Sequence, residues 1–261
     1  MSHGKQFTLY SHHGGPNGWK AKELGLTYET KFLDMQKGEI KGPEHVKLNP
    51  NGQIPTIIDH KSNDFTLWES DAILEYIAYT YDTEGKFSVK DPLEKYKALQ
   101  WLFFQASGQG PYFGQAIWLK CYHHEKVPLA VKRYKNKIKR VFSVLESALS
   151  KQDWLVGGKY TFNTIVANDK SFIPWHNLAV ESALENFDTS KDYPALIKWG
   201  EKINSCPVAK PSSSQPVASI TFSQEVIDPS FNGITDLQKT TLDSFVSLAK
   251  QLRRPYVDYT G

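Results

Sequence analysis

The chain has 261 residues, with 31 Lys and Arg against 28 Asp and Glu and a formal net charge of +3. That length holds one large or two small domains around a sizeable core. The near-balance of charge gives no reason to expect nucleic acid or an acidic membrane as a partner. No apolar run approaches the roughly 20 residues that span a bilayer, and Met1–Gln6 has no apolar signal core. Cys121 and Cys206 alone give neither a disulfide framework nor zinc spacing, so a reduced, cytoplasmic protein is expected.

Residues 6–11 alternate like a strand, and His12-His13-Gly14-Gly15-Pro16-Asn17-Gly18 reads as a turn. A short helix from Trp19 to Leu24 stops at Gly25, and residues 27–33 form a second strand. Glu44 to Leu48 read as a helical turn before the break at Asn49-Pro50. Residues 54–58 and 64–68 are two further strands, and 70–81 a helix with Ala72, Ile73, Tyr76, Ile77 and Tyr81 as its apolar stripe. This order gives a small α/β layer. Residues 85–92 form a polar connection. The period then becomes helical over Leu93–Leu119, Val127–Leu149, Asn168–Leu184 and Tyr193–Ile203, an all-α second domain. The expected domains are therefore 1–84, a linker at 85–92, and 93–210, followed by 211–261 as an extension. Within that extension Pro211–Pro216 is linker-like. Thr235-Asp236-Leu237-Gln238 reads as a capping box, opening a helix that runs to Arg253.

Two short stretches carry the chemistry. Asn49-Pro50-Asn51-Gly52-Gln53-Ile54-Pro55 is a Gly-containing turn leading into a strand. A Pro there cannot donate to a ladder and belongs at an edge or a special turn, where a cis peptide is tolerated. Leu67-Trp68-Glu69-Ser70 ends a strand directly before a helix, where N–H groups and the positive end of the helix dipole await a carboxylate. Together they suggest a site for an extended, peptide-like anion, although Ser70 as a bare N-cap is the commoner use of such a residue.

The other polar clusters read as structure. The basic run Lys132–Arg140 is a solvated helical face. His12-His13 and His123-His124 lack ligand spacing, because adjacent side chains diverge, so no metal is expected. Gly108-Gln109-Gly110 is not a phosphate loop, since Phe113 stands where a third glycine is needed.

The succession of strand, turn, helix and strand, then Ile54-Pro55, then Glu69-Ser70 before Ala72-Ile73, then a helical domain, resembles the cytosolic glutathione transferases over residues 6 to about 208. Gly15-Pro16-Asn17-Gly18-Trp19-Lys20, Asn49-Pro50-Asn51-Gly52 and Gly108-Gln109-Gly110-Pro111-Tyr112-Phe113-Gly114-Gln115 are similar to the fungal class related to the yeast nitrogen-catabolite regulator. The resemblance implies a thioredoxin-like N-terminal domain, an all-α C-terminal domain, a homodimer, and glutathione as co-substrate.

A glutathione thiol with a pKa of about 8.5 is only a few per cent thiolate at pH 7, so a protein must stabilise the anion. The resemblance gives this role to Asn17, whose amide donates but cannot take a proton. Without the resemblance, Asn17 is a turn residue beside Gly18. Tyr10 is the second choice and Ser11 the third. By resemblance Ile54 presents its backbone to the cysteinyl part, with Pro55 holding that edge open. Glu69 meets the γ-glutamyl ammonium, Ser70 its carboxylate, and Gln53 the glycyl end. Trp101, Phe104, Tyr112, Phe113 and Trp118 are candidates for an electrophile pocket, although aromatics at such density are more often core.

Three departures from the family stand out. The helix after Trp19 is about one turn shorter than in relatives. Val166 occupies the place of a capping Ser or Thr three residues before Asp169, a loss of about 1 kcal/mol. The segment from about residue 211 has no recognised counterpart. The implied function is detoxifying conjugation of glutathione to small electrophiles, with organic hydroperoxide reduction as a companion activity. The alternative is a catalytically weak relative that binds and regulates a transcription factor. The yeast relative carries an Asn/Gln-rich N-terminal extension that is missing here, which favours the enzyme. A scaffold role has no sequence feature behind it.

Overall fold

A computed structural model describes residues 4–11, 24–35, 37–161 and 188–205. Asn17, His12-His13, the helix from Trp19, the Val166–Asp169 cap, the 168–184 helix and the extension from residue 211 lie outside the described residues.

Four strands make one sheet: β1 (Phe7–Ser11), β2 (Tyr28–Phe32), β3 (Thr56–Asp59) and β4 (Phe65–Trp68), in the order β2-β1-β3-β4. β1 runs parallel to β2 and antiparallel to β3, which is itself antiparallel to β4. Between β2 and β3 lies a short helix, α1 (Pro43–Val46). After β4 comes α2 (Ser70–Tyr81), with the bounds that the apolar period predicts. Its buried face is Ile73, Leu74 and Ile77, packed on Phe7, Leu9 and Ile57 of the sheet. Ala72, expected in that stripe, is exposed, and Leu74 takes its place.

The second layer is helical. α3 (Pro92–Phe104) starts with Pro92 at its first position, and the Asp91 carboxylate accepts the Glu94 N–H at 2.9 Å. It continues without a break through a π-turn (Gln105–Gln109), α4 (Gly110–Ile117) and a second π-turn (Trp118–Tyr122). α5 (Pro128–Leu149) buries Ile138, Val141, Phe142, Leu145 and Leu149, spaced three and four apart. α6 (Thr189–Asp192) and α7 (Pro194–Ser205) follow, and α7 sets Leu196, Trp199 and Ile203 against α5. The basic run on α5 keeps Lys132, Arg133, Lys139 and Arg140 exposed.

The connection at 85–92 is less polar than its composition suggests. Phe87 is buried in the core under the sheet and Val89 in the helical core. The alternation Phe-Ser-Val sends these two side chains into separate cores. The Asp82 carboxylate accepts N–H bonds from Lys86, Phe87 and Ser88 at 2.7–2.8 Å. Gly157, at φ 68°, closes the other side: a Cβ there would meet Val89 Cγ1 at 2.6 Å. The two layers are therefore tied by a pinned segment.

Candidate active site

The site end of the sheet follows from register. Thr56 pairs with Trp68 and with Tyr10. One residue beyond, Pro55 leaves β3 where Glu69 leaves β4, and Ser11 ends β1 at the same end. Gln53, Ile54, Pro55, Glu69 and Ser70 are thus gathered at one end of the sheet, beside the N-terminus of α2. Asn17, six residues after Ser11 in sequence, is outside the described residues.

The 49–55 turn is held from beneath by buried polar groups. Asn49 Nδ2 donates to the Gln53 carbonyl at 2.7 Å and to Thr56 Oγ1 at 3.1 Å, while Asn49 Oδ1 accepts the Asn51 N–H at 3.0 Å. His45 Nδ1 lies 2.8 Å from the Ile40 carbonyl and Nε2 3.1 Å from Thr56 Oγ1. A carbonyl only accepts, so Nδ1 carries the proton of the neutral ring. Thr56 then donates to His45 Nε2 and accepts from Asn49, so each hydrogen in the relay has a place. Asn49, His45 and Thr56 are at most 2 % exposed. Gly52, at φ 57°, lies under Lys41: a Cβ would meet Lys41 Cδ at 2.9 Å, and the Lys41 ammonium donates to the Asn51 carbonyl at 3.1 Å. The Ile54–Pro55 peptide is cis. Sequence reasoning gave His45 and Thr56 no role and read Asn49 only as part of a turn and motif, because one buried polar residue leaves no periodic trace. Lys41 was also missed; a cation beside an expected anion is the signal that marks it.

On the facing side, Glu69 adopts φ 70° and ψ 119° and is itself the residue that precedes the helix. Ser70 is the first helical residue, so its use as an N-cap is overturned. No side chain caps this end of α2. Among the described residues, the Glu69 carboxylate and Ser70 hydroxyl have no hydrogen-bond partner. A left-handed residue is uncommon outside glycine and clusters at ligand clamps. The result is an open helix N-terminus with an acceptor and a hydroxyl beside it, suited to a zwitterionic amino-acid head group.

Tyr10 turns away from α2. Its ring packs 5.5 Å from that of His45, with Lys31 Nζ 5.5 Å from its centroid. Ser11 is buried on the other face. The five aromatic candidates do not form one wall. Trp101 and Phe104 meet edge to face at 5.5 Å. Tyr112 packs on Tyr134 at 6.4 Å. Phe113, 1 % exposed, meets Phe142 at 5.5 Å and is core rather than pocket lining. Trp118, half exposed, stacks edge-on to His123 at 4.8 Å. Trp118 follows Phe113 by five residues, about 140° further round a regular helix, which sends the two side chains to different faces. Gly108-Gln109-Gly110 lies inside the long helix, in and just after its first π-turn, and is not a loop. His123 and His124 stack ring on ring at 4.9 Å, and no metal-holding cluster occurs among the described residues. No described helix is long and apolar enough to cross a membrane.

Residues 5–79 match the family model described as glutathione S-transferase, N-terminal domain, and residues 111–207 match its C-terminal domain. The chain is 50 % identical over 219 residues to glutathione S-transferase 2 of Schizosaccharomyces pombe, covering 78 % of this chain and 93 % of that one. Among solved structures it is similar to the glutathione transferase URE2P6 of Phanerochaete chrysosporium in complex with oxidized glutathione. That match has a TM-score of 0.72 and 56 % identity, over 80 % of this chain and 95 % of that one. Ure2p5 of the same organism, cocrystallized with 1-(S-glutathionyl)-2,4-dinitrobenzene, gives a TM-score of 0.68 and 39 % identity over 97 % and 100 %. With both domain models matched and a relative 50 % identical over 219 aligned residues, the chain belongs to the glutathione S-transferase family, among its fungal Ure2-related members.

Proposed function

We propose that this protein is a glutathione transferase that joins the glutathione thiolate to small electrophiles. The carrying observation is the pairing of the Gln53–Pro55 turn with Glu69-Ser70 at one end of the sheet, in a chain 50 % identical over 219 residues to a named transferase. In this reading Ser70 and the first N–H groups of α2 hold the γ-glutamyl carboxylate and Glu69 its ammonium. The Ile54 backbone lies along the cysteinyl unit, with Pro55 supplying no competing donor. Gln53, with the Lys41 ammonium close by, takes the glycyl carboxylate. Asn17 donates to the sulfur anion. The thiolate then attacks the electrophilic carbon, forming a C–S bond as the leaving group departs with its electron pair. Hydroperoxide reduction by the same thiolate and a detoxifying role belong to this reading.

We also propose a homodimer in the cytoplasm. Tyr79 is 84 % exposed, and Leu93, Tyr96 and Phe103 form an exposed apolar stripe on α3. Lys95 Nζ lies 5.7 Å from the Tyr79 centroid, which joins the two helices into one face. A large exposed apolar patch is the mark of an interaction surface. The reduced cytoplasmic setting rests on the two-cysteine composition.

Calorimetric titration with glutathione tests the site. Saturable binding is expected, weakened about 100-fold when Glu69→Ala and Ser70→Ala are combined, since charge-assisted hydrogen bonds are lost. A folded protein that does not bind glutathione overturns the enzyme and leaves a protein-binding relative.

A further inference from the structure

The near-balance of charge over the whole chain hides a lopsided distribution. Residues 126–145 contain seven Lys and Arg and no Asp or Glu. The rest of the chain keeps 24 basic against 28 acidic residues, a net −4. α5 puts most of the positive charge on one side. At 3.6 residues per turn, Leu129, Lys132, Arg133, Asn136, Lys139 and Arg140 fall within about 120° of one another, opposite the Ile138, Val141, Phe142 and Leu145 face that enters the core. All six are exposed, in a row about 17 Å long. Among the described residues, Lys132, Arg133, Lys135 and Arg140 have no carboxylate partner. Other surface lysines do, as Lys47 with Glu44 and Lys97 with Glu94. The row ends in apolar groups rather than acids. Leu129, in the first turn of α5, is 82 % exposed. Trp118, in the π-turn that packs against α5, is 48 % exposed. Exposed Lys126 stands in the loop between them.

We propose that this face docks on an anionic lipid surface, with the α5 cations over the headgroups and Leu129 and Trp118 at the boundary between headgroups and acyl chains. Clusters of about four to eight Lys and Arg on a helix are drawn to the negative potential of such a leaflet. Exposed Leu and Trp beside them gain by leaving water at the same depth. The apolar side of α5 is already committed to the core, so the helix cannot roll into the bilayer, and the contact is peripheral, reversible and sensitive to salt. Two other occupants fit less well. A second copy of the chain would set one basic row against another, and like charges repel. A nucleic acid would answer the cations but offers its phosphates no use for an 82 % exposed leucine.

Co-sedimentation of the full chain with vesicles tests this, using phosphatidylcholine alone and an equimolar mixture with phosphatidylserine. At about 0.1 M salt the wild type should sediment with the mixed vesicles and not with phosphatidylcholine. At about 1 M salt, where the screening length falls from about 10 to about 3 Å, it should be released. Combining Lys132→Gln, Arg133→Gln and Arg140→Gln should lower the partition coefficient about 100-fold, at about fivefold for each cation. Leu129→Ser should lower it about fivefold with the salt dependence kept, a reading that does not rely on the triple variant. Combining Lys61→Gln, Lys90→Gln and Lys151→Gln removes the same charge from exposed positions elsewhere and should have little effect. A folded wild type that ignores the mixed vesicles overturns the proposal, and so does equal binding to both kinds of vesicle. Equal losses in the two triple variants would assign the attraction to net charge rather than to α5, and overturn it too. Tighter binding to a DNA duplex than to the mixed vesicles at the same salt would replace the lipid surface with a nucleic acid.

Discussion

The Asn49 amide donates to the Thr56 hydroxyl at 3.1 Å across the turn that carries Gln53, Ile54 and Pro55. This bond joins the first residue of the turn to the first residue of β3, with both side chains essentially inaccessible. The turn's shape is therefore set from behind, by groups that no ligand touches.

Asn49→Ala removes three hydrogen bonds from that turn. It should cost about 2–4 kcal/mol of stability, since the Gln53 carbonyl and Asn51 N–H lose partners. In the surviving enzyme, the KM for glutathione should rise about tenfold with a smaller effect on kcat. Thr56→Val should act in the same direction and Thr56→Ser should rescue. Steady-state kinetics beside urea unfolding decide it, and a Thr56→Ser variant as damaged as Thr56→Val would refute the relay.

The regular elements were legible because apolar period and breakers mark them. Ser70–Tyr81 emerged with correct ends from a strand signal, a helix opener and a 3.6-residue stripe. The stripe itself was misassigned between Ala72 and Leu74, because the period fixes a face to within a residue while packing against Phe7 and Leu9 decides the rest. The π-turns left no mark. One inserted residue in the long amphipathic stretch from 93 to 119 does not visibly interrupt the pattern, yet it shifts the faces on either side of it. Phe113 and Trp118 look equivalent as aromatics in one helical run, although five residues of regular helix set them on different faces. The turn before β3 and the helix opening after β4 each hinted at a peptide-like anion and so suggested a shared site, but their register is a relation between two segments that neither states alone.

Glu69 combines the carboxylate proposed to meet the glutathione ammonium with a backbone that favours glycine. At φ 70° and ψ 119° a side-chain-bearing residue pays about 1–3 kcal/mol. Glu69→Ala and Glu69→Gly both remove the carboxylate, and both should weaken glutathione binding about tenfold or more. They should part in stability. The glycine variant should be the more stable by about 1 kcal/mol, after its greater unfolded-state entropy is subtracted. Equal melting temperatures for the two would show that the left-handed backbone relaxes on its own.

Glu146 on α5 accepts N–H bonds from Ala195 and Leu196 at 3.1 and 2.8 Å. A carboxylate from one helix thus caps the start of another, satisfying two orphan donors and opposing the dipole of α7. Glu146→Ala should lower stability by about 1–2 kcal/mol. Glu146→Gln, which keeps an acceptor but loses the charge, should recover part of this. Glutathione affinity should not move, because α7 packs on α5 and away from β3 and β4. Denaturant midpoints and calorimetry on the same samples would expose any coupling.

Asp82 gives the fold an acid-sensitive clasp. Burial alone would raise its pKa, but the N–H bonds from Phe87, Ser88 and Lys86 outweigh that and hold it below the ordinary aspartate value. The unfolded chain therefore binds this proton more readily than the native one. The stabilisation is complete above the unfolded value of about 3.9 and is lost as pH falls through the lower native value. Asp82→Asn removes the titration while keeping one acceptor oxygen. The wild type should exceed this variant in stability by a constant amount above about pH 5. That gap should narrow as the medium is made more acid, because the protonated Asp82 carboxyl and the variant's amide are both uncharged and each offers one carbonyl acceptor. Urea midpoints for both proteins at about pH 6, 4.5 and 3 measure the gap directly, with titrations common to both cancelling. A gap that stays constant down to the most acid of these conditions would mean that the carboxylate's charge contributes nothing to holding the 85–92 connection in place.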